Sequence, residues 1–206
     1  MNDDFWINPL HLQIDSTDSE GGRTSECRRQ RSADSDPNES IKSFLRNVVI
    51  ASAQAQDVIT HLIAIQHPHL DTGALESHGI DFLRVPENII QDNETSLKEI
   101  YFYLQKFAVA LYQMLEETQA IDLGNEYAEK LAVTKDKLVQ MLSDLQLAII
   151  SIGMKPYRDI TYNMLPPMMR FKSGPSMKGL HDYITMRDYA KFLQEIQSHE
   201  GTLLGN

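Results

Sequence analysis

The 206-residue sequence contains a single cysteine, Cys27, so no intrachain disulfide can form and stability must come from packing. No uninterrupted run approaches about 20 apolar residues, which argues against membrane insertion. Cations are the minority, with 19 Lys and Arg against 29 Asp and Glu and a formal net charge of -10. Nucleic-acid binding usually needs the opposite balance. Also missing are a Gly-x-Ser-x-Gly turn, a phosphate-binding P-loop, a Gly-x-Gly-x-x-Gly turn and a His-Glu-x-x-His pair. Without Glu-x-x-His motifs, a helical bundle has no di-metal ligand set. The expectation is a protein that is not an enzyme and uses no cofactor or metal. The opening Met1-Asn2-Asp3-Asp4 carries acids where a secretory signal needs a basic patch and an apolar stretch. That leaves an intracellular chain, a mature form, or export without a signal.

Residues 1–38 differ in composition from the rest. Ser16–Asn38 is rich in Asp, Ser, Glu, Gly and Arg and nearly free of apolar residues, which predicts a disordered tail. Ahead of it, Trp6, Ile7, Leu10, Leu12 and Ile14 read either as a short docking segment or as a frayed terminus. Arg28-Arg29-Gln30-Arg31-Ser32 reads as a processing site after Arg31, as a phosphorylation site at Ser32, or as a solvated charged linker. Cys27 has no neighbouring base and reads as an exposed free thiol.

What remains is dominated by four amphipathic stretches at 39–66, 95–119, 126–152 and 176–198. The first carries Ile41, Phe44, Leu45, Val48, Ala51, Ala55, Val58, Ile59 and Leu62 at three-four spacing after Pro37, and Pro68 stops it. The second opens with Ser96 and Glu99 in capping-box spacing, followed by Leu97, Ile100, Leu104, Phe107, Ala108, Leu111 and Leu115. Ala128, Leu131, Leu138, Met141, Leu142, Leu145 and Ile149 line the third, which ends at Gly153. The fourth follows Gly174-Pro175 and buries Leu180, Tyr183, Met186, Ala190, Leu193 and Ile196. Ile160–Met164 suggests a short extended piece. The domain division is therefore a tail over 1–38, a bundle over 39–199 and a flexible C-terminus over 200–206.

The gaps between these stretches are about 28, six and 23 residues. A helix of about 25 residues is roughly 37 Å long, a distance both long gaps can cross and the short one cannot. The second and third helices must then be antiparallel neighbours. Two long crossovers predict an all-α, up-up-down-down four-helix bundle.

Ile50, Val133 and Leu147 fall outside the seams. If the first and third helices are neighbours, these residues either form one exposed apolar patch, lie under the long loops, or are scattered exposures. His67, His69 and His78 share a loop, but no Cys or closely spaced acid completes a metal site around them. Asn38-Glu39-Ser40 and Asn93-Glu94-Thr95 are glycosylation sequons at Asn38 and Asn93, each just before a helix start.

Met114-Leu-Glu-Glu-Thr-Gln119 with Asn125-Glu-Tyr127, the run from Leu138 to Ile149, and Lys178-Gly179-Leu180 resemble corresponding stretches of a known cytokine group. The likeness covers about residues 39–199 and is to the long-chain helical cytokines of the ciliary neurotrophic factor, cardiotrophin and leukaemia inhibitory factor group. That resemblance implies a signalling ligand, secreted with or without a signal peptide and monomeric before it binds cytokine receptor ectodomains. One implied contact is the outer face of the first and third helices: Arg46, Ile50, Gln54, Asp57, Val133, Gln140 and Leu147. A second is the start of the fourth helix, where the group uses a Phe-x-x-Lys pair. Here Lys178 has Pro175 three positions earlier, and Phe171 and Lys172 lie in the preceding loop. The alternative is an intracellular helical adaptor with a phosphorylatable tail.

Overall fold

The computed structural model describes residues 37–66, 72–91, 94–121, 125–157, 159–170 and 174–205. Four long helices account for most of them: α1 (Pro37–Gln66), α3 (Glu94–Ile121), α4 (Asn125–Ser151) and α6 (Pro175–Ser198). Three short helices complete the set, α2 (Thr72–Leu75), α5 (Pro167–Arg170) and α7 (Glu200–Leu204). The chain is all-α, with no strand among the described residues.

The long helices start and stop where backbone chemistry dictates. Proline opens both α1 and α6, where its missing N–H costs no hydrogen bond. At the far end of α4, Gly153 takes the left-handed conformation at φ 78°. There its N–H reaches the Ile150 carbonyl, while the Met154 N–H reaches that of Ile149, closing the helix. The capping box expected at Ser96 and Glu99 does not form. Ser96 lies inside the first turn of α3, with its hydroxyl accepting from the Gln91 N–H and donating to the Gln91 carbonyl. Glu99 instead accepts from the Tyr157 hydroxyl at 3.1 Å.

Each seam turns inward. Leu45, Ala51, Ala55, Ile59 and Leu62 of α1 are buried, as are Ile100, Leu104 and Phe107 of α3 and Leu131, Leu138, Leu142 and Leu145 of α4. Leu180 and Ala190 of α6 are only half-buried, and the rings of Tyr189 and Phe192 fill that core position instead. By length and composition, the 38–65 stretch of α1 is apolar enough to cross a membrane, as core helices can also be. Its apolar side is spent on the core described here.

Helix α1 packs mainly on α4 and then on α6, and α3 packs on α4 and α6. Side-chain pairs give the relative directions. His61 meets Glu126 and Asn47 meets Asp144, so α1 and α4 run in opposition. Tyr103 meets Phe192, Phe107 meets Tyr189, and Glu117 meets Lys178, so α3 and α6 are likewise opposed.

The two connecting segments also belong to the fold. From the first, Ile80, Leu83 and Ile90 sit in the core, and the Phe82 ring lies under the Lys106 ammonium. The second follows α3 along its length, with Tyr157 on Glu99, Asp159 on Gln105 and Tyr162 on Gln113. Where a short extended piece is expected, Ile160 is buried and Tyr162–Met164 forms a tight helical turn. The C-terminal residues, expected to be flexible, form α7, which packs on α1 and buries Leu204.

Phe107 stacks on Phe192 at 5.8 Å between centroids and leans on Tyr189 at 5.1 Å. Phe107→Ala is therefore expected to cost about 3–5 kcal/mol in urea unfolding. The Tyr189 hydroxyl is buried without a protein partner, and burial pushes its pKa up. Because desolvation favours the neutral phenol, ionising Tyr189 works against the fold, so stability declines as pH rises above about 10, the unfolded value. Tyr189→Phe should raise stability at neutral pH by up to about 1 kcal/mol and flatten its decline above pH 10, measured by urea unfolding at stepped pH.

Candidate functional site

Two regions bring together the residues singled out from the sequence. The first is the outer face shared by α1 and α4. Arg46, Ile50, Gln54 and Asp57 follow one another along α1 at three-four spacing, and all are exposed. Val133 and Gln140 do the same on α4, while Leu147 is half-buried. Ile50 is 55% exposed and Val133 44%, so neither connecting segment covers them. The His61–Glu126 and Asn47–Asp144 pairs set the register, bringing Ile50 about level with Gln140 and Val133 about level with Asp57. The two apolar side chains are thus about seven residues, or roughly 10 Å, apart along the bundle. Ile50 and Val133 are therefore separate apolar points on a largely polar face rather than one continuous greasy patch. Ile150, 42% exposed and one turn beyond Leu147, was not singled out; of the Ile149-Ile150 pair only one residue can face the core.

Charge on this face is modest. Arg46 and Glu39 make an exposed ion pair at 3.9 Å, worth little in water. Burial pushes the Asp144 carboxyl up, and the Asn47 side chain opposes that shift by hydrogen bonding.

The second region is the start of α6. Gly174 adopts φ 90°, a conformation that favours glycine, and turns the chain into Pro175. One turn on, the Lys178 ammonium donates to Asp182 Oδ2 at 2.7 Å and pairs with Glu117 Oε2 at 3.2 Å. The network extends further, because Gln113 donates to the other Glu117 oxygen and the Tyr162 hydroxyl donates to Gln113 at 2.7 Å. Asp182 is fully buried and the Lys178 side chain only 17% exposed. Burial alone would lower the lysine's pKa, but the two carboxylates outweigh it and hold the ammonium protonated. Lys178 thus ties α6, α3 and the 159–170 segment together, and offers little of itself to a partner. What this end does expose is Met164, Met168 and Met177.

A third cluster went unseen in the sequence. Arg187 of α6 donates to the carbonyls of Leu75 and His78, chelates Asp188, and faces the Tyr183 ring. It clamps the segment after α2 onto α6. Sequence separation of more than 100 residues hid this pairing.

Among the glycosylation candidates, Asn38 is exposed in the first turn of α1. Asn93, Phe171, Lys172, Arg31, Ser32, His67 and His69 lie outside the described residues. Among the described residues no group of His, Cys, Asp or Glu is arranged to hold a metal.

No protein-family model, curated protein or solved structure matches the chain.

Lys178→Met should destabilise by about 3–5 kcal/mol, because it removes the ammonium that balances the buried Asp182 carboxylate. Adding Asp182→Asn should recover part of that loss, and a thermal unfolding series of the three chains checks it.

Proposed function

We propose that the chain is a cytokine-like signalling ligand, an up-up-down-down four-helix bundle that binds and clusters cell-surface receptor chains. The observation that carries this reading is which helices neighbour which, and in what direction. Helix α1 opposes α4, α4 opposes α3 across a three-residue connection, and α3 opposes α6. The first two long helices then share one direction and the last two the other, an order that requires a long crossover on each side of the short link.

The course of the crossovers adds a functional argument. Residues 72–91 pack toward α3 and α6, and Tyr157, Asp159 and Tyr162 lie along α3. The described residues of both loops thereby leave the outer α1–α4 face bare. Its two isolated apolar residues, ringed by Arg46, Gln54, Asp57 and Gln140, suit an interface in which a few anchors insert into partner pockets. A partner reading this face would be a protein surface such as a receptor ectodomain. At the α6 start, the contact would have to come from the exposed methionines and the preceding loop, since Lys178 is committed internally.

The test is binding to a panel of cytokine receptor ectodomains by surface plasmon resonance. Ile50→Asp and Val133→Asp together should weaken the captured receptor at least about tenfold, a loss of about 1.4 kcal/mol, with circular dichroism unchanged. An unaltered Kd for that double variant, or no ectodomain bound by the native chain, would defeat the proposal.

A further inference from the structure

At the opposite end of the molecule from Lys178 lies an apolar cleft of about 390 Å³, the size of a small-ligand pocket. Ile41, Leu45, Leu97, Ile152, Leu203 and Leu204 line it, so it is built from α1, α3, the turn after α4 and α7. Lys42 stands among the lining residues.

The position of this cleft matters more than its size. Ile41 is only about one helical turn from Pro37, where the chain ahead of α1 joins the bundle. That preceding chain holds one apolar cluster, Phe5, Trp6, Ile7, Leu10, Leu12 and Ile14. Between the cluster and Pro37 stands a stretch of about 22 residues almost without apolar side chains, which has nothing of its own to bury. A random-coil span for that number of residues is roughly 25 Å, ample to reach back to a cleft beside its own attachment point. Tethering at that range gives an effective concentration of order millimolar, so weak docking suffices. Charge agrees, because Asp3 and Asp4 directly precede Phe5 and Trp6 and would meet Lys42.

We infer that the segment Phe5–Ile14 docks intramolecularly in this cleft, with Trp6 as its principal anchor. The arrangement gives the Arg28–Arg31 run a consequence: cutting after Arg31 turns a tethered contact into a bimolecular one and uncovers the cleft.

Trp6 is the only tryptophan, so its fluorescence reports this contact alone. In the full native chain its emission should be blue-shifted and shielded from acrylamide relative to the urea-unfolded chain, equally at low and high protein concentration. Leu203→Asp should abolish the shift while leaving helicity intact. A second measurement needs no change in the bundle: Trp6→Ser should move the methyl resonances of Ile41 and Leu203. Native Trp6 emission matching the unfolded chain would overturn the inference, as would unmoved methyl resonances. A blue shift that grows with protein concentration would assign the cleft to a second copy and equally overturn it.

Discussion

Everything in this structure leans on the way α3 is held away from α6 by rings. Helices α1 and α4 approach closely along small side chains such as Ala51, Ala55, Thr134 and Ala148, all fully buried. On the other side, Tyr103, Phe107, Tyr189 and Phe192 interpose, so the helices meet through side chains and hardly through backbone. A bundle with one tight seam and one wide gap needs material to seal the wide side. Leu83 and Phe82 from one connecting segment and Tyr157 and Tyr162 from the other supply it. With no disulfide available, these aromatic and loop contacts take over the work of covalent ties.

The same asymmetry separates support from display. Polar contacts that cost the most to break, those of Lys178 with Asp182 and Glu117 and of Arg187 with the main chain, gather on the α3–α6 side and at its ends. The α1–α4 face carries exposed, weakly paired polar groups with Ile50 and Val133 set apart among them. A surface with few internal obligations can be substituted without loss of the fold.

Much of the helical framework was legible in the sequence. Pro37, Pro175 and Gly153 punctuate it, and the long helices end within two residues of the expected bounds. The three-four spacing of apolar residues identified most of the core and set Ile50, Val133 and Leu147 outside the seams; folding leaves the first two exposed and Leu147 half-buried. Lys178 misled, because its carboxylate partner Glu117 lies on another helix, and only folding shows that the ammonium is enclosed. Ser96 misled differently: its spacing to Glu99 fits a capping box, but Gln91 of the incoming loop takes up its hydroxyl. Arg187 gave no signal, since its acceptors are main-chain carbonyls that every residue possesses.

That last property has a consequence of its own. A clamp that grips carbonyl oxygens is indifferent to the side chains it holds down. The Glu76–Ser77–His78 stretch beneath Arg187 is free to drift in composition while its path over the bundle stays fixed. In such a design the outward lettering of a loop can change between relatives without any change in the page on which it is written.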